Sequence, residues 1–69
     1  MFKKGDRIKM VRMVEDPDPI EPGTLGTITD VIDLWLLEQK RQVHLYVNWD
    51  NGRTLSPVVP PDVVEKVKE

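Results

Sequence analysis

The side chains that could carry chemistry are few and poorly placed for it. The chain has no cysteine and a single histidine, His44. That removes thiol nucleophiles, disulfide staples and Cys/His zinc sites at once. His44 stands in no recognisable frame with a Ser or Cys partner. Asp16, Asp18 and Glu21 form the densest carboxylate group, but prolines interleave them and the D-x-D-x-D-G spacing of a calcium loop is missing. Asp30 and Asp33 flank an apolar strand end, where carboxylates solubilise rather than work as an acid/base pair. Asp50 and Asn51 serve a turn, because short polar side chains bond nearby backbone there. The residues therefore predict no enzyme, no metal and no cofactor.

Binding chemistry is better represented. Residues 1–13 carry Lys3, Lys4, Arg7, Lys9 and Arg12 against Asp6. Residues 14–38 carry only acidic charges, and residues 39–56 return to basic with Lys40, Arg41 and Arg53. The net charge is −2, so the alternation reads as solvated faces of opposite sign. A basic face can still meet phosphate. A nucleic-acid surface, if present, would use Arg7, Lys9, Arg12, Arg41, Tyr46 and Arg53, with Tyr46 and His44 as stacking rings.

The second binding candidate is apolar. Leu34, Trp35, Leu36 and Leu37 form the most apolar segment, yet they fall where a hairpin should reach its tip. A strand sends alternate residues to opposite faces, so a small sheet buries only one set. Three outcomes are open. The hairpin curls back onto the domain, the segment forms a helical turn, or it is a docking surface for a protein partner or a second copy, rimmed by Asp33, Glu38, Lys40 and Arg41.

The elements that must position these groups are strands. The 69 residues allow one small domain over 1–69. No run approaches the roughly 18 apolar residues that would span a bilayer, and no apolar stretch follows Lys3-Lys4, so a cytoplasmic protein without membrane contact is expected. After the Gly5-Asp6 turn, Ile8 and Met10 alternate with Arg7 and Lys9. Residues 15–23 hold Pro17, Pro19 and Pro22 and must be a surface loop, closed by Pro22-Gly23 as a type II turn. A second strand starts at Gly26 and runs to Ile32. In the third, Val43, Leu45, Val47 and Trp49 alternate with His44, Tyr46 and Asn48.

The turn after Trp49 can be typed by register. A three-residue loop with left-handed Gly52 pairs Trp49 with Arg53 and puts Leu55 on the apolar face, opposite Val47. A two-residue loop would turn Leu55 outward, so burial selects the bulged form. A fourth strand follows this turn directly, and Ser56–Pro61 is too rich in proline to be a central strand. Val63, Val64 and Val67 fit a helical turn by spacing, but three β-branched residues favour reading Val63–Val67 as the last strand. Five short strands and one long, proline-containing first loop predict an all-β chain, a small SH3-like barrel that is partly open.

Gly5-Asp6-Arg7-Ile8-Lys9-Met10-Val11, then Met13 with Asp16-Pro17, then Pro22-Gly23 and Gly26-Thr27-Ile28, then Val47–Leu55 with Trp49-Asp50-Asn51-Gly52 resemble a family of small bacterial and phage domains of unknown function. Its members read roughly G-x-R-V-x-L, M-x-D-P, P-G-x-x-G-T-V and V-x-W-D-N-G-S-x-L in that order. The resemblance implies an SH3-like barrel and a place on a phage or mobile element, and it carries over no catalytic residue. Family members turn quickly between strands two and three, whereas this chain inserts residues 33–42. The leading expectation is a non-catalytic module that binds protein through Leu34–Leu37. Nucleic-acid binding is the alternative.

Overall fold

A computed structural model describes residues 2–14, 16–35, 39 and 41–67. Five strands follow in order: β1 (Arg7–Arg12), β2 (Leu25–Asp33), β3 (Val43–Trp49), β4 (Val58–Val59) and β5 (Val63–Lys66). They form one open antiparallel sheet in the order β4-β3-β2-β1-β5.

β2 joins the two halves of the sheet. Its first residues pair with β1, Arg7 opposite Thr27 and Lys9 opposite Leu25. Along its other edge it pairs with β3, from Gly26 opposite Trp49 to Asp33 opposite Val43. The register slips between Ile28 and Asp30, so Thr29 is the extra residue of a bulge. A bulge bends its strand and sharpens the local twist, which lets one strand serve both halves. A second slip falls in β1 between Met10 and Arg12, against β5.

The alternation read from the sequence places the core. Ile8 and Met10 of β1, Ile28 of β2, Leu45, Val47 and Trp49 of β3, and Val64 of β5 are buried on one face. Gly26 is required where it stands. A Cβ there would lie 2.7 Å from both the Trp49 ring and a Val47 methyl, closer than carbon atoms pack. The eighth buried apolar residue is Ile20, which comes from the acidic, proline-rich loop. That loop is therefore anchored as well as exposed. Its closing turn matches the type II reading, with Gly23 at φ 93° and Thr24 N donating to Glu21 O at 3.1 Å.

The β3 turn takes the bulged form. Trp49 N donates to Arg53 O at 3.3 Å, Gly52 N donates to Trp49 O at 3.0 Å, and Gly52 has φ 86°. Leu55 packs against the core. The fourth strand, however, does not follow the turn directly. Residues 53–57 are irregular, and β4 is Val58–Val59, opposite His44 and Val43. The proline argument holds in a limited sense, since β4 is two residues long and lies at the sheet edge, where a missing N–H costs little.

One polar group is central to this end of the sheet. Asp62 is 8% exposed. Its carboxylate accepts Val14 N at 2.9 Å and Val58 N at 3.1 Å, tying the first loop to β4.

Candidate functional site

The tip of the β2–β3 hairpin is built on Asp33. Its carboxylate accepts Trp35 N at 2.9 Å, and Leu34 N closes the hairpin on Gln42 O at 3.0 Å. Beyond that rung the chain leaves the strand path. Leu34 and Trp35 take helical conformation, and Gln39 N donates to Trp35 O at 3.1 Å. Leu34 and Trp35 thus have the local conformation of a helical turn, while Leu36 and Leu37 lie outside the described residues. Gln42 Nε2 donates to Pro60 O at 3.0 Å, which ties the base of the hairpin to the turn before β5.

Leu34 is half-buried, while Trp35 is 50% exposed. The Arg41 guanidinium lies over the Trp35 ring, 5.2 Å from its centroid, within cation–π range. Leu36, Leu37, Glu38 and Lys40 lie outside the described residues. Of the four apolar residues expected to bind a partner, Trp35 is thus the one with a described, exposed side chain.

Arg7, Lys9 and Arg53 already hold partners within the fold. Arg7 donates to Thr27 Oγ1 at 3.0 Å and grips the Asp50 carboxylate with two nitrogens, at 2.9 and 2.7 Å. Lys9 pairs with Glu65 at 2.9 Å, and Lys66 pairs with Asp6 at 3.2 Å. Arg53 turns to the first loop, donating to Asp18 O at 2.6 Å and Pro19 O at 3.1 Å, with the Asp18 carboxylate at 3.2 Å. This strap ties the first loop to the β3 turn. Arg12 is exposed at the far end of β1. Tyr46 is 41% exposed, its ring 4.7 Å from that of His44.

The acidic loop residues have separate tasks. Asp16 accepts the backbone N–H of Asp18 at 2.8 Å, Asp18 meets Arg53, and Glu21 offers its carbonyl to the Thr24 hydroxyl at 2.7 Å. Among the described residues, no three His, Asp or Glu side chains stand together as metal ligands do. No helix among them is long and apolar enough to cross a membrane.

Two surface carboxyls titrate below their ordinary value of 3.8. For Asp50 the Arg7 hydrogen bonds lower the pKa against a desolvation penalty, and the guanidinium charge adds to them. For Asp6 desolvation pushes upward, but the Lys3 backbone N–H and the Lys66 ammonium outweigh it. A carboxyl lowered by folding contributes stability above its unfolded pKa and loses it as pH falls through the folded value. Asp50→Asn should therefore lose less melting temperature than the parent as pH falls below about 4. Thermal melts of both chains across that window measure the difference.

The model of the domain of unknown function DUF4314 matches residues 1–67. The chain belongs to that family. Comparison with curated proteins and with solved structures gave no match. Within this DUF4314 chain, two features escaped sequence reasoning, one buried and one on the surface. Asp62 gave no sign beyond an acidic residue after two prolines. Thr29, Thr54 and Ser56, which share a groove with Tyr46 and Asn48, gave none.

Proposed function

We propose that this DUF4314 chain is a non-catalytic binding module on a small SH3-like barrel, and that it recognises a protein partner at the tip of the β2–β3 hairpin. The observation that carries the reading is Trp35, half-exposed beneath Arg41 at a tip held by Asp33. A large aromatic ring left in water beside a cation costs hydrophobic free energy, and Trp and Arg are the residue types most enriched at interface hot spots. Three features support the barrel: the strand order, the β2 bulge that bends one strand across both halves, and a core enclosed between them. A role in a bacterial phage or mobile element rests on the family resemblance alone, a cytoplasmic location on the sequence pattern, and both belong to the same proposal.

The pairing of Arg7, Lys9 and Arg53 with carboxylates or carbonyls favours this reading over nucleic acid. Each would have to exchange an existing partner for phosphate. Site-specific photo-cross-linking in cells tests the proposal. A benzophenone side chain at position 35 should cross-link a second polypeptide, whereas one at Val63, also exposed, should not. Equal yields from both positions, or cross-links from position 35 to nucleic acid, would overturn it.

A further inference from the structure

A shallow open groove of about 320 Å³ is lined by Thr29, Tyr46, Val47, Asn48, Thr54 and Ser56. It exists because one rung of the sheet is missing. Leu45 N donates to Pro57 O at 2.9 Å and Trp49 N to Arg53 O at 3.3 Å. The rung between them would join Val47 to Leu55, but the Leu55 carbonyl turns to accept the Trp49 indole N–H at 2.8 Å. Ile28 N and O are taken by Asp6 O and Gly5 N, so Ile28 and Val47 form a non-hydrogen-bonded pair. The Val47 N–H and C=O therefore point away from β2, toward residues 53–57. Among the described residues, no bond from that segment meets them.

The lining is neutral throughout. It offers three hydroxyls from Thr29, Thr54 and Ser56, the carboxamide of Asn48, and the exposed ring of Tyr46. The Thr29 hydroxyl is oriented by its bond to Tyr46 O at 3.2 Å. The surroundings repel a polyanion. Asp30 stands opposite Tyr46 in register and Asp50 follows β3 directly. The nearby cations are already engaged: Arg7, which reaches this row through Thr27, is gripped by Asp50, and Arg53, next to Thr54, is held by Asp18 and the Pro19 carbonyl. Phosphate contacts supply most of the affinity in nucleic-acid binding, and here no cation lines the groove to make them.

We propose that this groove binds a neutral saccharide, with one sugar ring stacked on Tyr46 and its hydroxyls bonded to Asn48, Thr54 and Ser56. A pyranose has an apolar C–H face and a rim of neutral donors and acceptors. An aromatic face bordered by hydroxyls and a carboxamide complements both. The site is independent of the hairpin tip. Because the groove is open on one side, a dissociation constant on the order of 1 mM is expected.

Amide NMR titrations of the labelled chain with chitotetraose, cellotetraose and maltotetraose test this, with an octauridylate as the charged control. At least one saccharide should give saturable shifts at residues 29, 46–48, 54 and 56. Those shifts should survive a roughly tenfold rise in salt, since a neutral ligand has no charge to screen. Tyr46→Ala should abolish them, and Tyr46→Phe, which keeps the ring, should retain most of the affinity. Tyr46 lies outside the core, so the amide spectrum of the alanine variant also reports that the fold persists. The proposal is overturned if none of the three saccharides saturates, if octauridylate alone shifts these residues, or if Tyr46→Ala binds as the parent does.

Discussion

Trp49→Ala should be unfolded at room temperature. The indole is 1% exposed and lies over Gly26, whose missing Cβ makes room for it. Its N–H holds the Leu55 carbonyl, which fixes the course of the chain after the β3 turn. Truncating a buried Trp to Ala costs about 3–5 kcal/mol. A single core in a domain of this size supplies roughly the same amount. Its neighbours Val47 and Gly26 sit on paired strands and are held back from filling the space. Far-UV circular dichroism in buffer should show loss of the sheet signal, and the amide spectrum should collapse to the unfolded range. Trp49→Phe keeps an aromatic ring but loses the bond to Leu55, so it should fold with a lowered melting temperature. A Trp49→Ala chain that melts like the parent would mean that the core does not depend on this residue.

Asp62→Ala should rank next, at about 3 kcal/mol. Two backbone N–H groups, of Val14 and Val58, end on this one carboxylate. Hydrogen bonds to a charged group contribute about 1.5–3 kcal/mol each, and because both bonds are only part-buried, water replaces some of the loss and the low end of the sum applies. Asp62→Asn is the sharper probe. Its carboxamide keeps one acceptor oxygen but sets an NH2 group against the other N–H, so about half the loss should remain. Urea unfolding should show the midpoint falling while the slope stays constant. Hydrogen exchange should quicken first at the Val14 and Val58 amides. Uniformly faster exchange across the whole sheet would argue against a local clamp.

The sequence made the sheet readable where one face is buried and the pattern is strict. β1 and β3 declare themselves through Ile8 and Met10 and through Leu45, Val47 and Trp49. The β3 turn was legible because only one register kept Leu55 on the core side. Family membership was legible in Trp49-Asp50-Asn51-Gly52 and the segments before it.

Other features had no local signature. Ile20 sits among prolines and acids, and the contacts that hold its loop, Arg53 on the Asp18–Pro19 backbone and Met13 Sδ at its own N–H, come from elsewhere in the sequence. β4 shifted past Pro57 because the Leu55 carbonyl is spent on Trp49, a side-chain contact that no periodicity encodes. The basic residues illustrate the same limit. A row of Arg and Lys along β1 looks like an anion surface until β5 and the β3 turn supply Glu65 and Asp50 from distant sequence. Charge composition could not anticipate that pairing.

The adjacency of β1 and β5 bears on how this chain comes to be folded. Met10 lies opposite Val64, and Ile8 opposite Lys66, so the first strand completes its pairing only with the last. Until Val63–Lys66 has emerged during synthesis, β1 presents an open edge and part of an uncovered core. Pairings so far apart in sequence are slow to form, because the loop must close before any contact rewards it. Folding is therefore held back until synthesis of the fifth strand is complete, and a nascent chain stalled before Val63 should remain protease-sensitive along its whole emerged length.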